Sequence, residues 1–455
     1  MEKIIKKSYP MQKKKLINSA RHIVQHLREK GFQSYWVGGC VRDLLLGRPA
    51  KDIDIATNAT PDTLLKIFPN IRTIGKAFGV VQVQIDKAPF EIATFRKDFD
   101  YRDGRHPERV AFASPEEDAQ RRDFTINGLF YDPLTETVID FVQGQKDLKN
   151  KIIRTIGNPQ DRFREDHLRM LRAIRFASTL EFSIETETVS TIKQMATNLK
   201  KISPERIQQE FTRTLLESPQ PGSGVRLLQV LNILNTILPE VSIMAYQNQP
   251  PEYHPEGDVL THTLMMLDNM KTPDAVLAYA VLLHDVGKPP TASMDIRANG
   301  KPRIRFNGHA KVGAELAETI LKRLRIPTHR IKDVVHCVRN HMRFMEVSNM
   351  KKSTLRRLIG APTFNMELEL HRLDCLCSHG NLSNYNLLRT IVQKLENEPV
   401  LPSPWINGHD IMNLGVAKGP KIGAWLKKAY DAQVEGTVQN RENLLEWIKK
   451  EEAKV

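Results

Sequence analysis

Apolar and polar positions change rhythm partway along the chain. Residues 81–85 (Val-Gln-Val-Gln-Ile) alternate with a period of two, the pattern of a strand with one buried face. Residues 90–95 (Phe-Glu-Ile-Ala-Thr-Phe) follow across Asp-Lys-Ala-Pro, which predicts a hairpin. A helix over residues 17–30 leads into the apolar Tyr35-Trp36-Val37. Residues 96–107 are polar, lack an apolar period and read as a mobile loop. From about residue 150 the period becomes helical, with Leu168, Leu171, Ala173, Ile174 and Phe176 in residues 165–178 and the same style in residues 216–238. Residues 246–253, rich in Pro, Gln and Asn, read as a linker. The fold class is α+β: a mixed sheet with helices, then helical segments. The divisions are a basic arm at 1–19, a mixed-sheet head at 20–150, a helical segment at 151–245, a second helical unit at 246–385 and a helical tail at 386–455.

Composition narrows this only a little. The chain has 455 residues, enough for several domains with their own cores. Its net charge of +14, from 67 Lys plus Arg against 53 Asp plus Glu, favours a polyanionic partner such as nucleic acid. Four cysteines (Cys40, Cys337, Cys375, Cys377) do not make a disulfide framework in so long a chain, and a reduced cytoplasm is expected. The lysines at positions 3, 6, 7, 13, 14 and 15 precede no apolar core of a signal peptide, and no apolar run approaches a membrane span. They read as a solvated arm. Nothing in the sequence sets the oligomeric state.

Candidate chemistry changes the picture more. Lys-Asp-Ile-Asp-Ile-Ala-Thr at 51–57 follows Gly-Gly-Cys-Val-Arg-Asp at 38–43. On an extended backbone Asp52 and Asp54 share a face, and two adjacent carboxylates call for a cation such as Mg2+ between them. Gly38 and Gly39 let the backbone approach a phosphate, and Arg42 can clamp its oxygens. Glu91 is either a third carboxylate for the same metal or a surface strand residue. In Arg-Arg-Asp-Phe-Thr-Ile-Asn at 121–127, Arg121 and Arg122 can serve triphosphate oxygens, Asp123 can accept from a ribose hydroxyl, and Asn127 can do either; the alternative is a charged turn. Glu-Asp-His-Leu-Arg at 165–169 begins a helix. There Asp166 and Arg169 share a face, either as an ordinary ion pair or as an acceptor and donor that read a base edge. Cytosine and adenine match such an edge; uracil and guanine present the reverse pattern. Arg172 and Arg175 extend the positive stripe towards phosphate or RNA.

These four motifs, in this order over about residues 30–240, resemble the class II (bacterial-type) CCA-adding tRNA nucleotidyltransferase and poly(A) polymerase family. The resemblance implies a nucleotidyltransferase palm in the head, followed by neck, body and tail helices. It implies that Asp52 and Asp54 hold catalytic Mg2+, that Asp166 and Arg169 template the incoming base, and that CTP, ATP and the tRNA 3′ end are the substrates. At position 128 the family usually has alanine or serine; Gly128 is expected to loosen the packing slightly. The segment 94–107 resembles the flexible loop that helps CCA enzymes switch from C to A, and residues 406–423 resemble their tails. Both favour CCA addition over poly(A) synthesis or CC-only addition.

In residues 254–380 the histidines stand out. His262, His284-Asp285 and Asp374, with His309 and His341 between, offer the imidazole and carboxylate ligands that suit one or two transition metals. His284-Asp285 lies in an apolar stretch, where polar groups need compensation. The segment resembles the HD phosphohydrolase domain, which implies metal-dependent hydrolysis of phosphate esters. A different organisation, an HD hydrolase whose head only binds RNA, would not need intact Asp52, Asp54, Arg122 and Asp166.

Overall fold

The computed structural model describes residues 11–69, 71–75, 79–101, 107–298, 300–395 and 399–453. They form two compact units, Met1–Pro239 and Glu240–Val455. No helix among the described residues is long and apolar enough to cross a membrane.

The first unit is built on a seven-stranded mixed sheet. Its strands are β1 (Ser34–Val37), β2 (Ile55–Thr57), β3 (Ile71–Gly75), β4 (Val80–Ile85), β5 (Ala88–Thr94), β8 (Leu129–Asp132) and β9 (Thr137–Asp140), in the order β3-β4-β5-β2-β1-β8-β9. Only β2 and β5 run parallel; every other pairing is antiparallel. The period-two residues Val81 and Val83 are buried as their alternation requires. The β4–β5 turn is tighter than the expected four residues. Asp86 and Lys87 both take positive φ, 51° and 66°, the backbone of a two-residue hairpin that suits strand twist. Val37, Ala56, Phe95, Ala119 and Phe130 pack together as one core of the sheet.

Three expectations fail here. The segment 96–107 is not a bare loop: β6 (Arg96–Tyr101) pairs antiparallel with β7 (Pro107–Phe112), and residues 102–106 lie outside the described residues. The pairing is between backbones, and the polar sequence left no apolar period to read. The first helix, α1 (Met11–Glu29), starts earlier than expected, so Lys13, Lys14 and Lys15 lie in a helix rather than in an arm; residues 1–10 lie outside the described residues. The helix read at 165–178 is two. Helix α2 (Pro159–Glu165) stops, Asp166 takes an extended backbone (φ −150°, ψ 105°), and α3 (Arg169–Leu180) begins. The helical segment also holds a two-residue parallel pair, β10 (Ile152–Ile153) with β11 (Ser183–Ile184).

Among the described residues the second unit is helical apart from one ribbon, β12 (Ala292–Ile296) with β13 (Pro302–Phe306), which an all-α reading missed. Helix α4 (Val259–Asp268) and helix α5 (Ala275–Leu283) lie at its centre. Eight of the nine residues of α5 are buried, as a helix apolar all round should be. It delivers His284 and Asp285 into the interior. Gly287 follows, and a Cβ there would lie 2.2 Å from the carbonyl oxygen of His309. This backbone contact brings α6 (His309–Arg323) up against the His-Asp pair. The tail helices Gly408–Asn413, Pro420–Glu435 and Arg441–Glu452 share a core of Ile411, Trp425, Leu444 and Ile448 among others.

Candidate nucleotide cleft and histidine centre

In the first unit, a cleft of about 700 Å³ collects the glycine turn, the paired aspartates and three arginine-bearing segments. Gly38 takes φ 75°, and a Cβ there would meet Nη1 of Arg122 at 2.9 Å, so only glycine leaves room for this guanidinium. Asp52 and Asp54 lie in the extended lead-in to β2 rather than within it, with Ile53 and Ile55 buried on the other face. The Asp54 carbonyl accepts the Val37 N–H at 3.0 Å, which fixes this lead-in against β1. Ile55 is in register with Ile92, so one step earlier Asp54 stands beside Glu91. Burial, then the charges of Asp52 and Glu91, push the Asp54 carboxyl up to about 6, against the pull of Arg122. Three carboxylates crowded on one side, with the most buried resisting ionisation, are what a hard divalent cation relieves. Asp52, Asp54 and Glu91 thus fit Mg2+, although Glu91 is not among the cleft-lining residues.

A chain of hydrogen bonds orders the opposite wall. Arg42 donates through Nη1 to Oδ1 of Asn127 at 2.7 Å, and Nδ2 of Asn127 donates to Oδ1 of Asp123 at 3.1 Å. Arg172 donates through Nε to Oδ2 of Asp123 at 2.8 Å. Burial alone would raise the Asp123 carboxyl; Arg172 and Asn127 override it and hold it at about 2. Arg121 and Arg122 both bind the fully buried Asp118, at 2.7 and 3.0 Å. Sequence reasoning missed Asp118, yet its signal was there: it precedes the two arginines by three and four residues, a helical spacing.

Asp166 and Arg169 line the same cleft, but they do not pair with each other. Oδ2 of Asp166 accepts from Arg206 at 2.7 Å and Oδ1 from the Leu168 N–H at 3.0 Å. Arg169 pairs with Glu165 and donates to the carbonyl of Arg162 at 3.0 Å. The ordinary ion pair between them is therefore absent, and each side chain is held by other partners. Arg172 faces Asp123, but Arg175 is buried, ion-paired with Glu210 and lies over the Phe176 ring at 4.0 Å. That commitment leaves Arg175 less available to a ligand than the stripe of arginines implied.

Gly128 corrects another expectation. Its lack of a side chain does not loosen the packing, because Val142 and Ile156 fill the space: a Cβ would lie 2.6 Å from Cγ2 of Val142 and 3.1 Å from Cδ1 of Ile156. Gly128→Ala is expected to destabilise the protein by about 1–3 kcal/mol through overpacking, as urea denaturation would measure.

The second unit gathers all six of the expected metal-type residues. Nε2 of His262 lies 3.2 Å from Oδ1 of Asp374. Oδ2 of Asp285 lies 3.1 Å from Nε2 of His284, and its Oδ1 lies 3.5 Å from His309 and 3.8 Å from His341. His262, His284 and Asp374 form one set of converging ligand atoms; Asp285, His309 and His341 form another. Nε2 of His309 and Nε2 of His341 stand 3.2 Å apart. Burial first lowers the His341 imidazole, to about 4, so it stays neutral and able to bind a metal. His262 moves the other way. Against burial, Asp374 and Glu256 raise it to about 9, which marks a strongly negative surround. Nε2 of His284 and Oδ1 of Asp285 are buried without hydrogen-bond partners. Orphaned acceptors of this kind fit one or two divalent transition metals. Lys288, Glu256 and His254 also meet this centre and were not foreseen; Lys288 ion-pairs with Asp285 at 2.6 Å. The adjoining cleft, about 420 Å³, is lined by Tyr253, Lys288, Arg303, Arg305, Met342 and Met345 among others.

Comparison with known proteins finds three matching segments. The poly A polymerase head domain matches residues 34–154, the probable RNA and SrmB-binding site of polymerase A matches 181–244, and the HD domain matches 257–373. The chain is 46% identical over 202 residues to a CCA-adding enzyme of Ligilactobacillus salivarius, covering 44% of this chain and 50% of that one. It is 40% identical over 242 residues to poly(A) polymerase I of Salmonella typhi, covering half of each chain. The match thus spans about half the length of these curated relatives. A crystal structure of the Bacillus stearothermophilus CCA-adding enzyme in complex with CTP superposes with a TM-score of 0.70 at 26% identity, over 96% of this chain and 98% of that one. Residues 34–154 thus match the poly A polymerase head domain and residues 257–373 an HD domain, and the chain is similar to proteins named CCA-adding enzyme and poly(A) polymerase.

Proposed function

We propose that this chain adds C, C and A, from CTP and ATP, to the 3′ end of tRNA, and that its histidine centre hydrolyses phosphate esters. The single observation that carries the first reading is the common cleft. The paired aspartates, the phosphate-type arginines and the Asp166/Arg169 edge all open onto it. Asp52, Asp54 and Glu91 would hold Mg2+, which supplies Lewis-acid activation of a hydroxyl and neutralises charge on the departing pyrophosphate. Gly38 and Gly39 leave backbone room for the phosphates, and Arg42 and Arg122 stabilise charge that develops on them. Asp123 and Asn127 orient the ribose. Asp166 accepts from the amino group shared by cytosine and adenine while Arg169 donates to the adjacent ring nitrogen. At the histidine centre, His262, His284, Asp285, His309, His341 and Asp374 would hold a divalent transition metal, which supplies an activated water for attack on phosphorus. Lys288, Arg303 and Arg305 in the adjoining cleft suit a phosphate-bearing substrate. The cytoplasm, where tRNA is processed, is the expected setting.

Poly(A) synthesis is the second reading, favoured by the relatives of that name. One experiment separates the two. The protein is incubated with tRNA lacking its 3′ end and with CTP, ATP or both. Stepwise addition of C, C and A followed by arrest is the expected result; a long tail from ATP alone would replace it with the second reading.

A further inference from the structure

The four expected imidazoles of the histidine centre are not held alike. His284, His309 and His341 each turn Nδ1 to the backbone carbonyl three residues earlier, at 2.8, 2.8 and 2.7 Å. A carbonyl only accepts, so Nδ1 carries the proton and Nε2 keeps its lone pair. His262 differs. Its Nε2 faces Asp374, and its Nδ1 lies 2.6 Å from Oε1 of Glu256. The Glu256 side chain is only 5% exposed, and its other oxygen, Oε2, is buried with no hydrogen-bond partner.

Bound to a metal, His262 is neutral, and a neutral imidazole offers one lone pair, not two. With Nε2 of His262 turned to Asp374 and the His284 set, Nδ1 is left facing Oε1 of Glu256 in a 2.6 Å ion-pair contact that lacks hydrogen-bond geometry, and the same oxygen accepts from Nδ1 of His254 at 2.9 Å. Glu256 is thereby a partner of the ligand rather than a ligand. The comparison between the two ligand sets is then simple. Each has two imidazoles and one carboxylate. They differ in what stands behind the imidazoles: carbonyls alone behind His309 and His341, a carbonyl and a carboxylate behind His284 and His262. A carboxylate acceptor makes an imidazole the stronger ligand and fixes its tautomer more firmly than a carbonyl does.

We propose that Glu256 is the positioning carboxylate of this centre. It holds His262 so that Nε2 faces inward, and it makes the His262–His284–Asp374 set bind a divalent transition metal more tightly than the Asp285–His309–His341 set. The proposal rests on the metal-binding reading of the centre. The test uses the full chain, stripped with a chelator and titrated with Co2+ by calorimetry and visible absorption. The wild type is expected to bind in two steps of unequal affinity. Glu256→Gln should weaken the tighter step by about 10–100-fold and leave the weaker step within about threefold. Glu256→Asp should recover part of the loss. An unchanged tight step in the glutamine variant, or an equal loss in both steps, overturns the proposal. If the glutamine variant does not keep the wild-type circular dichroism, the aspartate variant decides: a weakened tight step supports the role and wild-type affinity overturns it. A wild-type chain that binds no Co2+ at all overturns instead the metal reading beneath it.

Discussion

Asp54→Asn is expected to end nucleotide addition while making the metal-free protein more stable at pH 7. The two effects have one cause. Burial and the neighbouring charges of Asp52 and Glu91 raise the Asp54 carboxyl from its ordinary 3.8 to about 6. The folded protein therefore holds this proton more tightly than the unfolded chain. Stability falls as pH rises through the window between those two values, and the penalty is complete above it. Asparagine removes a charge that the fold resists, a gain on the order of 2 kcal/mol at pH 7 that disappears below about pH 4. Thermal melting in chelator at the two pH values reads it. With Mg2+ and substrates, the same substitution removes a ligand from the site, and CTP incorporation should fall by ~10³-fold or more, about 4 kcal/mol of barrier. Binding of tRNA, followed by gel shift, should change little. A variant that is no more stable without metal, or that still adds nucleotides at near the normal rate, would sink the assignment of Asp54.

Asp285→Asn is expected to empty the other centre. This carboxylate touches His284, Lys288, His309 and His341 at once, so no other side chain there has as many partners to lose. Affinity for Co2+ should drop by at least about 100-fold, and hydrolysis of a model phosphodiester should disappear with it. There is also a folding cost. Lys288 would lose its carboxylate partner in a buried setting, left with the amide oxygen of Gln249 at 2.6 Å and the Phe306 ring. Leaving one half of a buried ion pair costs about 3–5 kcal/mol. The double variant Asp285→Asn, Lys288→Met should regain most of the stability and none of the metal affinity. That separation distinguishes a ligand from a merely structural carboxylate.

Much of the candidate site was legible because its motifs are local. Gly38 to Arg42, Asp52 to Asp54 and Arg122 to Asn127 each carry their chemistry within a few residues, and the sheet only has to bring them together. The sixfold histidine set was legible for a related reason: imidazoles beside apolar stretches need an explanation that packing does not offer. What the sequence hid is the second layer of partners. Arg206 reaches Asp166 from 40 residues away, Glu210 reaches Arg175 from 35, and nothing in either local pattern announces it. The break at Asp166 was hidden too. Apolar spacing runs on through Leu168 and Leu171 regardless of the turn between α2 and α3. The β6–β7 ribbon escaped for the opposite reason, since its polar sequence shows no apolar period. Glu91 was legible as a strand residue, but its place beside Asp54 depends on the β2–β5 register, which sequence alone does not set.

The pairing of the cleft arginines has a consequence for how a nucleotide is held in salt solution. Arg42 is bound to Asp43, Arg121 and Arg122 to Asp118, Arg169 to Glu165, Arg172 to Asp123, and Arg175 to Glu210. Five carboxylates face these six guanidiniums, Asp118 serving two of them, so most of the charge is balanced from within, and few mobile anions gather there or are released when a triphosphate arrives. Counted as bare cations, they would make nucleotide affinity collapse with ionic strength; paired as they are, the dependence should be shallow. On the proposed function, the protein's excess of positive charge then acts elsewhere, over the longer polyanion, and it is the grip on RNA rather than on the nucleotide that rising salt should loosen first.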